Sequence, residues 1–211
     1  MRTTGAGNGR GLSRRGMLGL VSAGGGAALL GVVVATRPAH SATWAAAATA
    51  PTGGKPADFL YLSILAGQIT GKQGWPRYVP ADFSVPAHAL VQVEIRCFDT
   101  GPAAVPAGYE KVQGTVGGVM TVLPGPDPAA TARGRAVSAL SAKGVAHTLT
   151  MAGLGLNVPV PPLSTVRFTF RTGAPGSVPW ECVASCGTGT SGWSGPMAEA
   201  GWMQGTMAVV G

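Results

Sequence analysis

From Asp58 onward the chain is written in short runs of alternating apolar and polar residues, each closed by glycine or proline. The clearest run is 90–98, where Val91, Val93, Ile95 and Cys97 share one face and Gln92, Glu94 and Arg96 the other. A second sets Val166, Phe168 and Phe170 against Thr165, Arg167, Thr169 and Arg171. A period of two belongs to strands with one face in a core and the other in water, and no helix can satisfy it. Residues 59–65 are apolar and strand-sized, and further short strands are expected at 110–122, 145–151, 177–182 and 203–210. Segment 129–142 is the one candidate for a short helix, with a loop as its equal alternative. Seven or eight short strands between turns, with no internal repeat, predict an all-β protein built as a Greek-key β-sandwich.

Composition bears on this in two ways. The chain holds 34 glycines and 17 prolines with only 11% charged residues, a bias that would read as low complexity without the interspersed apolar runs. With those runs it reads as a folded, turn-rich domain. The net charge of +7 is unevenly placed: Arg2, Arg10, Arg14, Arg15 and Arg37 are five of fifteen basic residues, and no acidic residue precedes Asp58. The remainder carries ten basic against eight acidic residues. No basic stripe interleaved with aromatics is left, so nucleic-acid binding is not expected.

The N-terminal basicity has its own explanation. Ser13-Arg14-Arg15-Gly16-Met17-Leu18 resembles the twin-arginine export motif, with Arg14 and Arg15 as the pair that would be read. The apolar stretch that follows, 18–35, contains five glycines, which disfavour a soluble helix. Small residues at 39–48 offer a cleavage site, and the stretch is also just long enough to stay as a single N-terminal membrane anchor. The expected organisation is a signal or anchor at 1–36, an Ala/Pro/Gly-rich linker at 37–57 and a domain at 58–211. The expected location is extracytoplasmic, either secreted or membrane-anchored.

The chemistry concentrates late in the chain, in Trp180-Glu181-Cys182-Val183-Ala184-Ser185-Cys186-Gly187. The C-x-x-x-C spacing on a loop leaves three states open: two metal ligands, a small-loop disulfide or two free thiols. His147 shares a strand face with Val145 and Leu149, opposite Ala146, Thr148 and Thr150, and so points toward the apolar side. Taken alone it is a core histidine; with two thiols and a methionine, Met197 or Met203, it completes a soft donor set that suits copper. A closed zinc site would want a second Cys or His pair, which is absent. Cys97 is expected to be a small core residue, Glu181 an outward carboxylate, and Met197, Met203 and Met207 serve equally well as core filler. His88 is expected at an exposed strand edge, and His40 falls in the signal or linker. Hydrolysis finds no support: there is no nucleophile elbow, and the Gly-rich stretches lack the lysine and strand–helix frame of a phosphate loop.

Residues 145–210 resemble the copper-binding half of a cupredoxin, and are similar in particular to the binuclear copper domain of cytochrome c oxidase subunit II. The resemblance rests on Val145-Ala146-His147-Thr148, Phe168-Thr169-Phe170, Trp180-Glu181-Cys182, Cys186-Gly187, Gly195-Pro196-Met197 and the closing Gly201-Trp202-Met203 with Gly205-Thr206. Ser84-Val85-Pro86 and Phe98-Asp99-Thr100-Gly101 fit the family's earlier strands more loosely. The family's ligand order maps its first histidine and two cysteines to His147, Cys182 and Cys186. Its second histidine then falls on Thr190 and its methionine on Trp193. A four-residue insertion recovers Met197 but puts Ser194 at the second histidine. The resemblance therefore implies a reduced ligand set of His147, Cys182, Cys186 and Met197, holding one copper ion rather than two.

The expected function is copper binding for one-electron transfer or copper handling at the extracytoplasmic membrane face, with a redox protein or oxidase subunit as partner. Catalysis would belong to that partner and not to the chain alone. The alternative is a metal-free β-sandwich that keeps a Cys182–Cys186 disulfide and serves a structural or partner-binding role, and a copper chaperone is a third reading.

Overall fold

A computed structural model describes residues 58–187 and 195–211. Eleven strands run through them: β1 Asp58–Leu65, β2 Arg77–Val79, β3 Phe83–Pro86, β4 Leu90–Cys97, β5 Met120–Pro124, β6 Arg135–Val137, β7 His147–Met151, β8 Leu156–Val160, β9 Ser164–Arg171, β10 Gly176–Glu181 and β11 Gln204–Val210. They form a six-stranded sheet of order β2-β1-β4-β9-β5-β6 and a five-stranded sheet of order β3-β11-β10-β7-β8. The chain crosses repeatedly between the sheets, and their inner faces share one core in which Val93, Ile95 and Phe168 meet Leu149, Val158, Met207 and Trp180. The architecture is the expected all-β sandwich.

The alternating runs behave as their pattern requires. In β4, Val91, Val93, Ile95 and Cys97 are fully buried, and β9 pairs with it antiparallel over its whole length. Where the two sheets meet, Trp180 packs edge-on against Tyr78 with ring centroids 4.8 Å apart, and its indole N–H donates to the Ala81 carbonyl at 2.8 Å. That bond removes the penalty a buried indole nitrogen would otherwise carry.

Three expectations are corrected, and β8 is an addition to the expected strands. Segment 110–122 is not one strand: Lys111, Gln113 and Thr115 make isolated bridges before β5 starts at Met120. Gly114, Gly117 and Gly118 all take positive φ there, which breaks the extended backbone. Segment 129–142 forms no helix; it carries β6, which pairs with β5. Of that segment only Val137 is buried, so a helix would have had no face to bury. β8 was hidden by Pro159, which is tolerated because β8 lies at the edge of its sheet. Finally, β7 is buried on both faces and not on one.

The outer face of β7 is closed by a polar relay. Val183 N–H donates to Thr148 Oγ1 at 2.9 Å, and Thr148 and Thr150 hydroxyls meet at 3.0 Å. The Thr150 hydroxyl donates to Asn157 Oδ1 at 2.8 Å, and Asn157 Nδ2 donates to the carbonyls of Tyr109 and Lys111 at 2.9 and 2.7 Å. Every member finds a partner, which is the condition under which a buried polar network can be stable. The relay ties the loop after β10 to β7, and through β8 to the covering segment near residue 110.

Candidate metal centre

Antiparallel pairing builds the site. Glu181 at the end of β10 lies opposite Thr150 of β7, so the residues that follow Glu181 run back beside the start of β7, where His147 stands. Cys182 N–H donates to the Met203 carbonyl at 2.8 Å, which brings the approach to β11 to the same end. The turn after β4 arrives there too, with Ala103 N–H donating to the Val145 carbonyl at 2.8 Å and Ser185 N–H to the Ala104 carbonyl at 2.7 Å. Four chain segments converge on one end of the sandwich.

His147, Cys182 and Cys186 meet there, fully or almost fully buried, with their ligand atoms within 4.8 Å of one another. All three cysteines in the chain are free thiols, and Cys182 Sγ and Cys186 Sγ lie 3.6 Å apart. Met197 Sδ lies 3.2 Å from Cys186 Sγ, so the thioether joins the thiol pair. Met203 and Met207 are fully buried in the core and Glu181 points outward, as the sequence suggested. His88 stands exposed in a turn with φ of 53° and takes no part. Arg14, Arg15, His40, Thr190, Trp193 and Ser194 lie outside the described residues. No helix among the described residues is long and apolar enough to cross a membrane, and the expected signal or anchor at 1–36 lies outside them.

Asp99 joins the cluster although no sequence pattern marks it for a role. Its Oδ2 lies 3.0 Å from His147 Nε2. The available signal was a carboxylate in the turn Phe98-Asp99-Thr100-Gly101, two residues beyond a buried strand end. With Nε2 so occupied, His147 Nδ1 is left buried without a hydrogen-bond partner. An orphaned imidazole nitrogen beside two thiols fits a metal ion, because burial without a partner otherwise costs about 1–3 kcal/mol.

Burial opposes an imidazolium at His147, but the Asp99 carboxylate and the Cys182 and Cys97 sulfurs outweigh it and hold its pKa well above the usual histidine value. The hydrogen bond from His147 holds Asp99 below the ordinary carboxyl value against the effect of burial. Burial also opposes a thiolate at Cys182, yet Cys186, His147 and the Thr148 N–H (3.3 Å from Sγ) together draw it well below the ordinary thiol value. Cys186 is pushed up by its hydrogen bond with Cys182, then by burial and the neighbouring negative charge. Tyr78 closes the site from the other sheet, its hydroxyl donating to the Thr148 carbonyl at 3.1 Å. A crevice of about 240 Å³, walled by Asp99, Thr100, Ser185, Cys186 and Gly187 among others, reaches the cluster from outside.

No protein-family model matches the chain, and no curated protein matches it by sequence. Solved structures do show similarity. Auracyanin B is 14% identical over 75% of this chain and 93% of its own, with a TM-score of 0.33. Dithionite-reduced auracyanin from the photosynthetic bacterium Roseiflexus castenholzii is 13% identical over 75% of this chain and all of its own, at 0.34. A heme-copper terminal oxidase, solved as a dimer, is 15% identical over 77% of this chain and 74% of that one, at 0.36.

Proposed function

We propose that this is an exported, cupredoxin-like copper-binding domain that holds one copper ion and serves one-electron transfer or copper handling at the extracytoplasmic membrane face. The observation that carries the reading is the unpartnered His147 Nδ1 beside the Cys182 and Cys186 sulfurs, with Met197 Sδ against the second of them. His147 Nδ1, both thiolates and the Met197 thioether would hold the ion. Sulfur-rich sites with one imidazole select Cu(I) and the copper couple over harder cations. Zinc is the poorer fit, because a thioether is not among its usual protein ligands. Among the described residues no second imidazole stands beside the sulfurs, which favours one ion over a thiolate-bridged pair. Copper would supply the one-electron couple. The chain's own residues would bind it, exclude water by burial and hold one geometry for both oxidation states.

In this reading the partner is a redox protein or an oxidase subunit, and any net catalysis takes place there. The test is a Cu(I) titration of the reduced chain against a colorimetric chelator, with His147→Ala and the Cys182→Ser/Cys186→Ser double variant alongside. Uptake of one equivalent, weakened by the first variant and abolished by the second, supports the reading. No uptake, with a disulfide re-forming in air, would support a metal-free module instead.

A further inference from the structure

We infer that Asp99 is a positioning residue that selects Nδ1 as the copper-binding nitrogen of His147; the inference rests on the copper reading above. A neutral imidazole has two tautomers, and a half-turn of its ring exchanges the two nitrogens. Only one arrangement turns a lone pair on the sulfurs. The Asp99 carboxylate is built to choose it. Oδ2 faces His147 Nε2 at 3.0 Å, while Oδ1 accepts the Thr100 N–H at 2.9 Å, so each oxygen is in fixed use. The backbone is fixed as well: the Asp99 carbonyl accepts the Leu163 N–H at 2.9 Å. Leu163 supplies that donor from a left-handed conformation, φ 43°, that a leucine adopts only under constraint.

The consequence is that Nε2 keeps its hydrogen toward Asp99 and Nδ1 is the free donor, aimed into the cluster. Outer partners of this kind orient a ligating histidine and raise its basicity, and their loss typically costs about 10–100-fold in metal affinity. Asp99 touches no bound ion in this scheme; it acts through His147. Its side chain is 23% exposed at the crevice, so replacing it opens no cavity in the core.

The test compares the full reduced chain with Asp99→Ala and Asp99→Asn by Cu(I) competition titration, thermal midpoint, and proton–nitrogen correlation of ¹⁵N-labelled imidazoles in the Cu(I)-loaded state, with the His147 signals assigned using His147→Gln. In wild type Nε2 is expected to carry the proton and Nδ1 the metal. Asp99→Ala is expected to lose about 10–100-fold in affinity. Asp99→Asn, which retains an oxygen for Nε2–H, recovers most of that loss. A wild type in which Nε2 carries the metal overturns the inference. So does an Asp99→Ala chain of unchanged affinity, or one whose midpoint falls while the other two readouts stay put, since that would make Asp99 only a brace. These outcomes leave copper binding itself intact. If wild type takes up no copper, the copper reading falls and this inference with it.

Discussion

Thr148→Val tests whether the outer face of β7 carries the thiol loop. The substitution keeps shape and replaces one hydroxyl by a methyl at a fully buried position. The Thr150 hydroxyl keeps Asn157 Oδ1 as its acceptor at 2.8 Å, so only the Val183 N–H, now bonded to Thr148 Oγ1 at 2.9 Å, is stranded. Stranding a buried donor costs about 1–3 kcal/mol. The added apolar group offsets that by up to ~0.8 kcal/mol. From the middle of that range the net expectation is a loss of about 1 kcal/mol, for which a chain of this size loses roughly 2–4 °C in midpoint. Denaturant unfolding should show a lower midpoint at unchanged slope, which separates lost stability from a change in compactness. Because Val183 lies between Cys182 and Cys186, Cu(I) affinity should fall as well. A variant within about 0.5 kcal/mol of wild type, the ordinary range for an uninvolved position, would refute the reasoning.

Three further outcomes follow from particular contacts. Glu94 bonds Arg96 and Arg167 at 2.7 and 2.8 Å; burial opposes its charge but the two guanidinium groups win, and its pKa falls below the usual 4.5. A depressed carboxyl stabilises the fold above its unfolded pKa and loses that effect as pH falls through its folded value. The wild-type advantage over Glu94→Gln, about 1 kcal/mol or less for half-exposed arginines, should therefore hold at neutral pH and vanish in acid denaturation curves. In Gly205→Ala the new methyl would collide with the Ala81 carbonyl and sit 2.9 Å from Trp180 Nε1, so calorimetry should show a loss of about 1–3 kcal/mol. Near neutral pH, Cu(I) uptake by thiolates and an imidazole should release protons, and apparent affinity should rise with pH. Release near zero in weakly buffered indicator solution would contradict a site of thiolates and imidazole.

The sheets were legible because alternation in 90–98 and 164–171 records which face meets a core. What alternation cannot record is a strand buried on both sides. In β7, Ala146, Thr148 and Thr150 have the look of a solvated outer face, and only the relay to Asn157 shows how that face is covered. β8 escaped because Pro159 argues against a strand until its edge position is known. Residue type and spacing singled out His147, Cys182, Cys186 and Met197, and the fold brings these four side chains together. Asp99 was not singled out, since its 48-residue separation from His147 is closed by the meeting of two sheets and not by any local pattern.

The most direct test of the account is X-ray absorption at the copper edge of the reduced, copper-loaded chain. One copper per chain, with sulfur scatterers and one imidazole nitrogen and no copper neighbour, is the result the account predicts. A short copper–copper vector, or a shell of oxygen and nitrogen without sulfur, would contradict it.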